Sequence, residues 1–294
     1  MRLLAFLLIL FPLGLSAQEL TGVIDIHAHS DPDSRARAID SIDLARLAKK
    51  QGMRGLILKN HSEPTTSNAF FVRKLVPGLE VFGGIALNLT VGGVNPAAVE
   101  QMTRVKGGWG RVVWMPTVDA ENQVRYSKQN RPFAPVVRGG RLTPEVHEVL
   151  ALIAKHKLTL QTGHSAPEES LMIVRAARQL GIDRIVVSHP MIASVNMTVT
   201  QMQEAAKLGA YLEFVYVEVG GANKSHTIAE YTAVIRAVGT EHCILSSDLG
   251  QRENMLLPDG FAAFIRELRG QGFTQAELDR MASTNPATVL GLPE

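Results

Sequence analysis

The sequence predicts an α/β fold, a (β/α)8 TIM barrel built as a single domain over residues 18–294. Three observations point there. Short apolar strand patterns alternate strictly with amphipathic helix patterns in eight units, which calls for a parallel sheet with crossover helices. The chemistry-bearing polar residues fall at the C-terminal ends of those strands, the face on which such barrels build their sites. The chain of 294 residues, less an N-terminal leader, matches the size of one such barrel, about 250 residues. The structural alternative is an open doubly wound sheet, but that usually has fewer strands. No Gly-rich phosphate fingerprint follows the first strand either.

At the N-terminus, Met1-Arg2 precedes an apolar run over residues 3–13 broken only by Pro12, and Ser16-Ala17 offers small residues for cleavage. This is the pattern of a secretory signal peptide over residues 1–17. A membrane span needs about 20 apolar residues, so export to the periplasm or medium is expected, with no integral span after cleavage. The first strand, residues 21–30, ends in His27-Ala28-His29, and helix 39–51 follows with apolar positions Ile42, Leu44, Ala45, Leu47 and Ala48. Strand 53–58 runs into Lys59-Asn60-His61. Helix 67–76 leads to strand 79–86, which ends at Leu87-Asn88. Asn95-Pro96 caps the third helix, with Asn at the N-cap and Pro in the first turn.

Strand 109–114 then runs into Met115-Pro116-Thr117. Residues 118–141, with Pro132, Pro135 and Gly139-Gly140 and no sustained period, are expected to form a long loop of the kind that serves as a lid. A fourth helix runs from Thr143-Pro144-Glu145 to near His156. Strand 158–161 ends at Gly163-His164, helix 167–180 follows, and strand 184–187 ends at Ser188-His189-Pro190. Helix 199–208 precedes strand 210–215, which carries Glu213, and helix 227–238 precedes strand 243–245, which ends at Ser246-Ser247-Asp248. Helical segments 260–270 and 274–284 close the chain.

Composition narrows the function. With 46% hydrophobic and 20% charged residues the chain can bury a large core, and a net charge of +2 gives no electrostatic case for nucleic acid or an anionic membrane. The expected partner is a small-molecule substrate, and a homo-oligomer stays open. Cys243 is the only cysteine, so no internal disulfide framework exists. It lies in the apolar run Cys243-Ile244-Leu245, where a buried, inert thiol is expected.

Side chains repeat every second residue along a strand, so His27 and His29 present two imidazoles to one point in space, an arrangement suited to a divalent metal. Closing the barrel brings Lys59, His61, His164, His189 and Asp248 to the same mouth. The motifs Asp25-Ile26-His27-Ala28-His29, Thr162-Gly163-His164, Ser188-His189-Pro190 and Ser246-Ser247-Asp248 resemble the metal centre of the amidohydrolase superfamily, in the pattern of its phosphotriesterase-like and TatD-like members. The closing stretch Asn285-Pro286-Ala287-Thr288-Val289-Leu290-Gly291-Leu292 is similar too.

The resemblance implies that His27, His29, His164, His189 and Asp248 bind one or two divalent ions, zinc above all. It also implies that Asp248 accepts a proton from activated water, the catalytic role. The chain departs from the pattern at strand four, which ends in Trp114-Met115-Pro116 where relatives usually supply a bridging carboxylated lysine or glutamate. Lys59, as a carbamate, and Glu213 are candidate substitutes for the bridge, beside the plainer roles of binding a substrate anion and pairing with a cation. His61, Asn88 and Glu213 are candidate substrate contacts.

The expected activity is metal-dependent hydrolysis of an amide, ester, lactone or phosphoester. A mononuclear lyase carrying out non-oxidative decarboxylation, and a barrel that only binds a small ligand, are the alternatives. His147, His156, His226 and His242 lie away from the strand ends and are expected to be solvated or structural. Gly92-Gly93 reads either as a loop that approaches a ligand by its backbone or as a tight turn, and Arg125, Arg131, Arg138 and Arg141 either as basic charges that recruit an acidic substrate or, more simply, as charges of a solvated loop.

Overall fold

Every predicted strand is present and runs parallel to its neighbours. The computed structural model describes residues 20–222 and 224–293, so the leader expected over residues 1–17 lies outside the described residues. The strands are β1 (Ile24–Ala28), β2 (Gly55–Leu58), β3 (Glu80–Ala86), β4 (Gly110–Trp114), β5 (Thr159–Gln161), β6 (Ile185–Val187), β7 (Tyr211–Val215) and β8 (Cys243–Ser246), paired in chain order. Helices Ser41–Lys50, Thr66–Leu75, Pro96–Arg104, Pro144–His156, Pro167–Gln179, Val199–Lys207, Ile228–Val238 and Leu257–Gly270 follow the strands in turn.

The sheet closes. The Asp248 N–H donates to His27 O at 3.0 Å and the His29 N–H to Leu249 O at 2.9 Å, joining the last strand end to the first. That closure removes the open doubly wound alternative and leaves a single-domain (β/α)8 barrel. Among the described residues, no helix is long and apolar enough to cross a membrane.

The helices begin where the sequence places caps. The Asp40 carboxylate accepts from the Ile42 and Asp43 N–H groups, the Asn95 side chain from Ala97 and Ala98, and the Thr143 hydroxyl from Val146. Leu44, Ala45 and Ala48 face the sheet, as the periodicity predicts. Ile24, Ile26, Ile57, Phe82, Val112, Trp114, Val186 and Ile244 pack together inside the barrel, and Ala287, Val289 and Leu290 of helix Asn285–Leu290 join them from below. The Thr159 hydroxyl donates to Val289 O and Arg111 Nη1 to Leu290 O, both at 2.6 Å, which fixes this plug across the N-terminal end.

Four departures from the sequence reading have local causes. Residues 118–141 are not a free loop: they contain helix Glu121–Tyr126 and a two-strand ribbon of Val137–Arg138 with Arg141–Leu142. Six residues span under two turns, too few to show a period. Arg125 pairs with Glu121 and Arg131 with Asp119 along this segment. A four-residue helix, Val217–Gly220, follows β7, and the eighth main helix starts at Leu257 with Pro258 in its first turn. After a turn over residues 271–274, helix Gln275–Asp279 runs on through a π turn, Arg280–Thr284, to Leu290.

The most consequential departure is in β1, where three residue steps from Asp25 to Ala28 oppose two steps from Leu56 to Leu58 on β2. This is a β-bulge, which re-aims side chains. Ile24 and Ile26 therefore join the interior core while His27 and His29 still face the mouth. Asp25, of the same parity as the histidines, turns to the seam instead, where its Oδ1 accepts the N–H groups of Ser247 at 3.1 Å and His27 at 3.0 Å. Asp25→Ala would leave these buried donors unpaired and is expected to lower stability by about 2–4 kcal/mol, read as a drop in the urea midpoint. Asp25→Asn, which keeps the acceptor, is expected to cost much less.

Candidate metal centre

At the C-terminal mouth the imidazoles form a chain in space. Ring centroids are 5.1 Å apart for His61 and His29, 5.3 Å for His29 and His27, 5.5 Å for His27 and His189, and 4.9 Å for His189 and His164. His27 Nε2 and His29 Nε2 each lie 3.1 Å from Asp248 Oδ1. Two sets of potential ligand atoms converge, His27 with His29 and Asp248, and His27 with His189 and Glu213, each within 4.8 Å. The first set borders a cavity of ≈ 380 Å³ lined by His29, Arg37, Lys59, His61, His164, His189 and Asp248 among others.

The backbone is bent to place these groups. Asp248 has φ 51° and His189 φ 22°, both in the left-handed region that costs a non-glycine residue about 1–3 kcal/mol and concentrates at functional sites. Gly163 at φ 63° brings its chain so close that a Cβ would sit 2.3 Å from Met115 O, and this turn swings His164 over the mouth.

The second layer fixes which ring nitrogen is free. The His27 Nδ1–H faces Glu213 Oε1 at 3.2 Å and the His164 Nδ1–H faces Gln123 Oε1 at 2.9 Å, which leaves the Nε2 lone pair of each for a cation. His189 Nδ1 is buried without a partner among the described residues. His29 differs: its Nδ1 lies 3.1 Å from Nη2 of Arg37, and its Nε2 lies 3.1 Å from Asp248 Oδ1.

Burial drives the electrostatics. It lowers the pKa of His29 to about 3 and of His189 to about 4, and holds His61 and His164 well below the usual imidazole range. Burial alone would raise Asp248, but His27 and His29 beside it keep its carboxyl well below the usual range. Burial works against charging His27 also, yet Asp248 and Glu213 push it up to about 9. Burial lowers Lys59 to about 8, and its Nζ lies 2.8 Å from His27 Nε2. Neutral imidazoles beside a carboxylate, with one ring holding a proton that a cation can replace, fit a divalent metal.

The other candidate residues fall into place around this centre. Glu213 is fully buried behind His27, also accepting from the Ser246 hydroxyl at 2.8 Å and the His189 N–H at 3.3 Å; it does not line the cavity, and beside orienting His27 it stands with His27 and His189 in the second set of potential ligand atoms. Asn88 spends its side chain on His61 O, Thr117 Oγ1 and the N–H groups of Thr117 and Asp119. It holds the loop after β4 and offers nothing to a ligand. His61 does line the cavity, bonded to Thr117 Oγ1 at 2.9 Å. Sequence reasoning missed Arg37, Gln123 and the seam role of Asp25. Only Asp25 had a signal, its place in the motif with the histidines.

The family model that matches residues 22–213 is described as "Family of unknown function (DUF6282)". No curated protein matches the chain. Among solved structures, an organophosphorus hydrolase from Deinococcus radiodurans is 15% identical with a TM-score of 0.60, covering 94% of each chain. The phosphotriesterase homology protein from Escherichia coli, with phosphate in its active site, is 17% identical with a TM-score of 0.61, covering 92% of this chain and 99% of that one. A structure from the engineering of organophosphate hydrolysis activity from a weak promiscuous lactonase template is 15% identical with a TM-score of 0.61, covering 94% and 97%. The likeness is one of fold, the barrel of phosphotriesterase-like hydrolases, as the sequence resemblance implied.

Glu218, just past β7, gives a measurable pH signature. Burial raises its carboxyl to about 8, against the hydrogen bond from the Tyr231 hydroxyl at 2.8 Å. The native state therefore keeps a proton that the unfolded chain releases near pH 4.3. Its contribution is full below that pH and is lost as pH rises toward 8, by at most about 1.4 kcal/mol per unit. Glu218→Gln keeps an acceptor for Tyr231 and removes this slope. The urea midpoint of the variant is expected to gain steadily on wild type between about pH 5 and pH 8, whereas parallel curves would contradict the raised pKa.

Proposed function

The chain belongs to the family of unknown function DUF6282, and from the geometry of its barrel mouth we propose an exported, metal-dependent hydrolase of the amidohydrolase type. Its substrate is a small molecule with an amide, ester, lactone or phosphoester bond. The observation that carries this reading is the convergence of His27 Nε2, His29 Nε2 and Asp248 Oδ1 beside a cavity at the C-terminal end of the barrel. His164 and His189 stand across it. Imidazole with carboxylate is a zinc-type donor set. Phosphoesters and lactones gain weight from the neighbouring folds, whose members include organophosphorus hydrolases and an enzyme engineered from a lactonase. The leader-like residues 1–17 support export.

A divalent cation held by His27, His29 and Asp248 would bring the pKa of water from about 16 toward 7 and would polarise an electrophilic oxygen. The chain supplies the rest. Asp248, ionised and 18% exposed, is placed to take a proton from the attacking water and return it to the leaving group. Glu213 and Gln123 keep His27 and His164 in the tautomer that binds through Nε2. The walls of β1, β6 and β8 hold these groups on rigid elements.

Strand β4 favours a single ion. It ends in Trp114 and Met115 with no bridging group, and Lys59 Nζ sits against His27 Nε2 in place of one. A single-metal site is also what the lyase alternative would use. Metal analysis of the purified full chain is expected to return one equivalent. Two equivalents would favour a bridge from Lys59 as a carbamate or from Glu213, and none after metal-replete expression would overturn the hydrolase reading. Asp248→Asn is expected to retain the metal or hold it more weakly and to lose turnover by about 100-fold or more. Unchanged turnover would remove Asp248 from the mechanism.

A further inference from the structure

We propose that Arg37 is an anion-binding residue of the cavity, and that the substrate carries a carboxylate or phosphate group beside the bond that reacts. Only the word substrate rests on the hydrolase reading; the anion subsite stands on its own geometry. Arg37 lies in the loop after β1 with its side chain 5% exposed, paired to an Asp33 carboxylate that is 1% exposed. Asp33 Oδ2 accepts from Nε at 2.7 Å and lies 2.6 Å from Nη2, and Nη2 also faces His29 Nδ1 at 3.1 Å. Nη1 has no protein partner among the described residues, and Arg37 lines the cavity. One nitrogen of a desolvated guanidinium is thus left to the cavity.

Stability does not explain this arrangement. Removing two charges from water costs as much as their attraction returns, so a buried ion pair is weak warrant for folding. The pair does fix where the guanidinium points. The loop is tied to the segment carrying Asp248: Arg37 bridges to Gln251, the Ala38 N–H donates to Gly250 O at 2.9 Å, and Arg252 Nε donates to Arg37 O. The free donor and the candidate proton acceptor therefore share one frame.

The charge of the lining agrees. Arg35, Arg37 and Lys59 stand against Asp248 and Glu253, and a divalent ion would add to the positive side. A neutral ester oxygen would offer Nη1 only a neutral acceptor, whereas a carboxylate or phosphate oxygen would give it a stronger, charge-assisted hydrogen bond.

Calorimetric titration of the purified full chain with inorganic phosphate and with malonate tests this, with metal content measured on each sample. Wild type is expected to bind at least one of the two, and the tighter one names the group. The double variant Arg37→Met with Asp33→Asn strands no buried charge and leaves His27 and Asp248 untouched, while removing the Arg37 contact to His29 Nδ1. It is expected to keep its metal and bind the anion at least about tenfold more weakly. Arg37→Lys keeps the charge without the fork, and a clear weakening there decides the matter if the double variant fails to fold. Wild type binding neither anion, or variants binding as tightly as wild type, would overturn the proposal. Metal-free protein that still binds the anion through Arg37 would sink the hydrolase reading alone. Metal-loaded protein with no Arg37 dependence would sink the subsite alone.

Discussion

The seam between β1 and β8 is the constraint on which the site depends. Two backbone hydrogen bonds, from Asp248 to His27 and from His29 to Leu249, join segments more than 200 residues apart and lie at the candidate ligands themselves. Any error in closing the barrel is an error in the site. The bulge in β1 makes the two demands compatible: the strand must give isoleucines to the core and histidines to the mouth, and one extra residue lets it do both. Asp25 then locks the register by gripping N–H groups from both strands.

Around that seam, charge is rationed. Carboxylates at Asp248 and Glu213 face a row of imidazoles of which only His27, raised by those carboxylates against its burial, is ready to take a proton. A doubly charged ion in place of that proton leaves the carboxylates better compensated than they are without it. The same low-dielectric surroundings that suppress charge on His164 and His189 make them good neutral donors.

Much of this was legible in the amino-acid order because barrels couple sequence to position: a residue after a strand is at the mouth, and His27, His29, His164, His189 and Asp248 all qualify by that rule. Period-two and period-3.6 patterns located the strands to within a few residues. What stayed hidden depends on contacts between distant segments. Gln123 sits in a helix too short to show its period, and nothing local says that it reaches His164. Glu213 and Asn88 sit at strand ends like true lining residues, but whether such a side chain meets solvent or a neighbour is decided by packing. Arg37 is one of several charges in a polar loop until the fold buries it.

The plug at the opposite end has a consequence for traffic. With Ala287, Val289 and Leu290 packed into the base, and the Val289 and Leu290 carbonyls tied to Thr159 and Arg111, the N-terminal end of the barrel is closed among the described residues and the cavity opens at the mouth. Whatever enters past Arg35 and Gln251 must leave by the same route, so a departing product and an arriving substrate compete for one passage. A product that keeps a negative charge would linger at the same threshold that drew its precursor in, and its escape, more than the bond-breaking deeper down, would then set the pace of the cycle.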